Sequence, residues 1–145
     1  MTLKELSQLY YLNREIEMDQ RRLEELRTKA ENPSAGQLSG MPKSPNVENK
    51  LERYVAELVD LTVIISAKQQ QCIHERNRLE RYISNIADSR MRMIFSLRFI
   101  NGLSWLQVAA HIGGSITEAY VRNACYKHLK IYSGKKAKDA KDANR

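Results

Sequence analysis

The chain has 145 residues and a formal net charge of +7, with 42% hydrophobic and 28% charged residues. That length holds one domain, or one small domain with an elongated extension, which excludes a large multi-domain enzyme; the composition is too apolar for a wholly disordered chain. The charge is unevenly placed, because residues 1–86 carry 13 basic and 13 acidic side chains whereas residues 87–145 carry 11 and 4. A basic segment joined to a neutral one points to a polyanion-binding module with a separate interaction part. Cys72 and Cys125 lie far apart without CxxC spacing and suggest neither a disulfide framework nor a zinc site. No apolar run resembles a signal peptide or approaches the roughly 18 residues of a membrane span, so a soluble, cytoplasmic chain with no membrane association is expected.

Residues 1–32 and 46–101 contain neither glycine nor proline, and no stretch alternates apolar and polar residues, so the expected fold class is all-α. The first helix opens with Thr2 and Glu5 at capping-box spacing and is expected to run to about Glu31. Its apolar row Leu9, Ile16, Leu23 and Ala30 repeats every seven residues, with Leu12 and Leu26 on a second row broken by Asp19. A loop rich in proline and glycine follows at residues 32–46. The second helix, expected from about Val47 to Ile86, carries Leu51, Leu58, Ile65, Cys72, Leu79 and Ile86 at the same interval, with Tyr54, Leu61 and Tyr82 alongside. A seven-residue repeat keeps one narrow stripe towards a partner helix. Residues 1–86 therefore read as an antiparallel coiled-coil hairpin, completed by the same hairpin from a second chain as a homo-oligomer. The run Lys68, Gln69, Gln70 and Gln71 dilutes the stripe, and pairing is expected to be weakest there.

Beyond residue 86 the helices become short and densely apolar. Asp88 or Ser89 caps a helix containing Met91, Met93, Ile94, Phe95, Leu97, Phe99 and Ile100, apolar almost all round and expected to be largely buried. Asn101 and Gly102 end it. Ser104 and Gln107 form another capping box for a helix through Trp105, Val108 and Ile112, which stops at Gly113 and Gly114. Thr117 caps a last helix running to about Tyr132. Two helices joined by a short glycine-containing turn are the parts of a helix-turn-helix. On the last helix Val121, Cys125, His128, Leu129 and Tyr132 share an inward side; Ala119, Arg122, Asn123, Tyr126, Lys127 and Lys130 share the other and are the candidate DNA-binding residues. Arg pairs with guanine, Asn with adenine, and Lys and Tyr reach phosphates or base edges. Trp105 reads as a structural anchor, and Arg90, Arg92 and Arg98 as residues that extend to solvent or pair with carboxylates more readily than they touch DNA.

The run Leu97, Arg98, Phe99, then Gly102, Leu103, Ser104, Trp105, then Val108, Ala109, Ile112, Gly113, and finally Val121 with Leu129 resembles the region 4 helix-turn-helix of bacterial sigma factors. The chain carries one or two additional residues at positions 114–119. With the neutral front half and the linker containing Gly40, Met41 and Pro42, nearly the whole chain is similar to the RinA/ArpU type of phage transcriptional regulator. The resemblance implies a DNA-binding activator of late packaging and structural genes in phages and prophages, acting on double-stranded DNA with host RNA polymerase as a further partner.

The expected organisation is thus a coiled-coil hairpin at 1–86, a sigma region 4-like helix-turn-helix at 87–132, and a basic, flexible tail at 133–145. Catalysis finds no support: there is no GxxxxGK[ST] loop or HExxH, and Cys72 and His74 diverge on a helix, so no enzyme, cofactor or metal is expected. Two other functions fit the same parts. One is a small terminase subunit, which also joins a helix-turn-helix to oligomerising helices; the other is a coiled-coil adaptor with a basic tail.

Overall fold

The computed structural model describes residues 1–32 and 45–142, with side chains for residues 1–32 and 49–130. Among these residues the chain is all-helical. The elements are α1 (Leu3–Leu6), α2 (Gln8–Glu31), α3 (Pro45–Ser84), α4 (Ser89–Phe95) continued by a π-helical turn (Ser96–Ile100), α5 (Trp105–Ile112) and α6 (Glu118–Asp142). The expected loop at residues 32–46, with Pro33, Gly36, Gly40 and Pro42, falls outside the described residues except at its ends. Pro45 belongs to α3 rather than to that loop, as its first residue. There its fixed φ suits the helix and its missing N–H would have had no partner. The chain divides into two compact units, Leu12–Cys72 and Met1–Tyr11 with Ile73–Arg145.

In the unit Leu12–Cys72, α2 and α3 run in opposite directions. Ile16, Leu26, Leu61 and Ile65 form its core, with Leu23, Tyr54, Leu58 and Cys72 packed against it. These are the residues of the seven-residue rows, and Leu51 alone among the described members in this unit is exposed. At the expected dilution the pairing is polar rather than apolar. Lys68 Nζ donates to Asp19 Oδ2 at 2.6 Å and lies 3.1 Å from Glu15 Oε2, so the charged residue interrupting α3's row meets the one interrupting α2's. Hydrogen bonds to Asp19 and Glu15 hold the Lys68 ammonium above the usual lysine range. Cys72 Sγ donates to Asn13 Oδ1 at 3.5 Å one turn further on.

The other unit starts with the expected capping box. Thr2 N–H and the Thr2 hydroxyl donate to Glu5 Oε2 at 2.7 and 2.9 Å, which holds the Glu5 carboxyl below its usual range, and Glu5 N–H donates to Thr2 Oγ1 at 3.3 Å. Helical hydrogen bonding then passes through Ser7, where Tyr11 N–H reaches Ser7 O. The core contains Leu6, Leu79, Ile94, Phe95, Val108, Val121 and Cys125, all nearly inaccessible to solvent. Phe95 sits among Tyr82, Phe99 and His128 at ring distances of 6.2, 5.4 and 5.4 Å. Tyr82 lies on α3, Phe99 on the π-helical turn and His128 on α6, so one side chain ties three segments together.

Two expectations about this unit are corrected. The helix after Asp88 is largely buried as expected except at Met93, but it does not stay α-helical to its end: it changes from α to π geometry at Ser96. Asn101 N–H reaches Ser96 O, and Leu103 N–H reaches Leu97 O across Gly102 at φ 71°, closing the end in a Schellman-type turn that glycine adopts without strain. The last helix does not stop near Tyr132 before a flexible tail; α6 continues to Asp142, and residues 143–145 lie outside the described chain. Lysine and alanine dominate residues 135–141, and both are strong helix formers that carry the helix past the single Gly134.

Candidate nucleic-acid interface

Local sequence positions α5 and α6 in detail. Ser104 and Gln107 cap α5 reciprocally, with Gln107 N–H to Ser104 Oγ at 3.2 Å and Ser104 N–H to Gln107 Oε1 at 2.8 Å. The helix ends where Gly113 N–H bonds Ala109 O, and Gly113 and Gly114 take φ of 78° and 72° in succession. A side chain at either would be strained, so the direction of the turn depends on two adjacent glycines. Thr117 Oγ1 then accepts from Tyr120 N–H at 3.3 Å and starts α6.

The inward side of α6 is as expected where side chains are described. Val121, Cys125 and Leu129 are buried and His128 is half-buried, while Tyr132 lies beyond the described side chains. Burial pushes the Cys125 thiol up to about 12 and lowers the His128 imidazole below its usual value, the latter opposed by Asp88. Neither group is available as a nucleophile or a cation at neutral pH.

Of the six candidate residues, Ala119, Asn123, Tyr126, Lys127 and Lys130 are exposed. At about 100° per residue Asn123, Lys127 and Lys130 fall within about 60° of one another, forming the centre of the outer face. Arg122 does not join that centre. It is half-buried on the shoulder, with Nη1 3.3 Å from Glu118 Oε1 one turn earlier. Tyr126 turns the other way from Lys127, its ring edge-on to Trp105 at 6.1 Å.

Trp105 is an anchor, as its sequence context suggests. Half-buried, it meets Phe99 edge-on at 6.3 Å and lies under Arg98, whose guanidinium carbon is 4.8 Å from the ring centroid. Of the three arginines expected to reach solvent or pair with carboxylates, Arg92 and Arg98 do something else. Arg98 Nη1 donates to Leu103 O at 2.7 Å, and Arg92 Nη1 donates to Ile86 O and Ala87 O at 2.6 and 3.0 Å, closing the chain just after α3. Both are taken up by backbone carbonyls. Arg90 is exposed on the first turn of α4.

Tyr120 is the residue that sequence reasoning missed. It is 48% exposed and lies on the outer side of α6, in line with Lys127 two turns further on. Its position three residues before Asn123 was sufficient to find it, but an aromatic residue beside Val121 reads as core when only polarity is used. Leu106, 66% exposed on α5, is a second apolar side chain left on the surface. No group of three or more His, Cys, Asp or Glu side chains with metal-binding geometry occurs among the described residues, and no helix among them is long and apolar enough to cross a membrane. In comparison with known proteins, the chain matches no protein-family model, no curated protein and no solved structure.

Proposed function

We propose that the chain is a sequence-specific DNA-binding transcriptional activator of the RinA/ArpU type, acting on phage or prophage late genes. In this reading α5 and α6 are a sigma region 4-like helix-turn-helix, and α2 and α3 are an antiparallel coiled-coil hairpin that holds a second chain or host RNA polymerase. The observation that carries it is the outer face of α6. Asn123, Lys127 and Lys130 are exposed together on the one helix that follows a tight, doubly glycine-dependent turn. Residues 87–145, which contain that helix, hold the entire charge excess of the chain. An amide flanked by ammonium groups offers a bidentate partner for adenine together with phosphate anchors, the division of labour that a major-groove reader uses.

Within this face the roles separate. Asn123 reads a base, Lys127 and Lys130 hold phosphates, and Tyr120 and Tyr126 flank them. Arg122 enters the groove only by leaving Glu118, so its contribution is smaller than that of an unpaired arginine.

The experiment is genome-wide mapping of bound DNA followed by affinity measurements on the site recovered. A peak upstream of structural genes, with their transcription dependent on the protein, supports activation. Asn123→Ala is expected to cost about 1–3 kcal/mol on that site and to relax its sequence preference, whereas Lys127→Ala lowers affinity for all sequences and flattens the salt dependence. Binding that ignores sequence and disappears at physiological salt refutes the reading and returns the chain to the class of basic adaptors.

A further inference from the structure

The unit Leu12–Cys72 leaves one side of α3 without a partner. Val55, Val59 and Val63, at intervals of four, are all exposed, Val63 by 63%. With Thr62, Ser66 and Gln69 they form a band about 100° around the helix from the row that faces α2. Between Val55 and Gln69 the charged residues, Glu57, Asp60 and Lys68, all lie outside the band; Glu52, just before it, falls on the same side. Beside it runs a groove of about 280 Å³ between the helices, lined by Leu23, Arg27, Leu58, Val59, Thr62 and Val63. A helix with an uncharged, valine-bearing band beside the row that faces its partner fits a bundle of more than two helices, since a two-helix pair covers only one side.

We infer that a second copy of this chain covers this band, its α3 antiparallel to the first, in a four-helix bundle with two-fold symmetry. The band is complementary to itself. An axis passing between Asp60 and Leu61 sets Val59 against Thr62 of the second copy, Leu58 against Val63 and Val55 against Ser66. Every α3 residue that lines the groove then meets another groove residue, which is what an isologous interface requires.

Charge selects the same arrangement. The contacts of Lys68 with Asp19 and of Cys72 with Asn13 fix the level of α2 against α3. With that level, the two-fold that pairs Val59 with Thr62 brings Glu24 of each copy opposite Arg27 of the other. Within one copy these two groups lie 3.7 Å apart, with side chains 71% and 57% exposed. The second copy completes a ring of four alternating charges around the axis, while the band beneath it carries no charge between Val55 and Gln69. The area is adequate. Residues 51–70 of α3 span about 30 Å and the helix pair is about 20 Å wide, so the face buries roughly 600 Å² per copy and 1,200 Å² in all, the lower edge of stable interfaces. This association goes beyond the DNA-binding reading, and either can fail without the other.

The test is sedimentation equilibrium of the full-length chain without DNA, over a wide concentration range, with circular dichroism to monitor helicity. The wild type is expected to be a dimer. Val59→Lys, at a position exposed in the single chain, is expected to give a monomer of unchanged helicity. Glu24→Arg or Arg27→Glu alone places like charges opposite each other twice and raises the dimer dissociation constant about tenfold or more. Combining the two exchanges restores it. A wild-type chain that stays monomeric at all concentrations leaves the band to a different protein and overturns the inference. So does a dimer that survives Val59→Lys, a ring of many chains, or a double exchange that is no better than the single ones.

Discussion

Lys68 and Asp19 stand at positions that a seven-residue repeat reserves for apolar side chains, and replacing both with leucine tests how that layer is held. Their side chains are 25% and 22% exposed and the Nζ to Oδ2 distance is 2.6 Å, so the pair is better covered than a surface salt bridge. Exposed pairs contribute about 0.2–1 kcal/mol, and partial burial raises both the attraction and the desolvation cost. Two leucines covered to the same extent contribute about 1–2 kcal/mol each, three-quarters of a full burial. The double variant Lys68→Leu with Asp19→Leu is therefore expected to be more stable than the wild type by about 1–4 kcal/mol. Lys68→Leu alone has a different outcome. It adds one leucine but leaves a largely covered carboxylate without its ammonium, a penalty of about 1–3 kcal/mol that offsets the gain. Urea unfolding of the four proteins at one chain concentration gives the coupling directly, and about 1–3 kcal/mol of non-additivity is expected. Additivity within about 0.5 kcal/mol would show that the ion pair does not act as a unit and would refute the account of this layer.

Phe95 is fully buried against Tyr82, Phe99 and His128, so Phe95→Ala is expected to destabilise the chain by about 3–5 kcal/mol, read from the urea midpoint; a loss below about 1 kcal/mol contradicts its central position. Burial lowers the His128 pKa, so below about pH 6.5 the unfolded chain takes up a proton that the folded one declines, and stability present above that pH is lost as pH falls. Unfolding midpoints from neutral to mildly acidic pH are expected to drop in the wild type and to stay flatter in His128→Asn; parallel slopes refute this. Cys125 is buried with its thiol pushed up to about 12, so native labelling with a thiol reagent should modify Cys72 first and Cys125 only on unfolding. Equal native rates at the two sites, measured by mass spectrometry, would contradict the burial.

The local signals were legible because their physics is local. A capping box needs only a hydroxyl and a carboxyl or amide three residues apart, and Thr2 with Glu5 and Ser104 with Gln107 form as spaced. The seven-residue rows identify Ile16, Leu26, Leu61 and Ile65 because repeated burial of one stripe leaves a periodic trace. The inward side of α6 is legible for the same reason. The π-helical turn at Ser96 is not, since one extra residue in a helical turn leaves no mark in composition. Nor is the use of Arg92 and Arg98 by backbone carbonyls, because the acceptors appear only when the chain after α3 and the turn after Phe99 close back on them.

By itself the sequence determined an all-helical chain, the capping boxes at Thr2 and Ser104, its apolar rows and the confinement of its charge excess to residues 87–145. All of these depend on spacing along one chain. Only the tertiary structure decided which polar residues are spoken for. It gave Lys68 to Asp19 and left Asn123, Lys127 and Lys130 facing outward. The physical reason is that a side chain's availability depends on the distance to its nearest complementary group. In the Lys68 pair that distance is set by the packing of two helices whose contacting residues lie 49 positions apart.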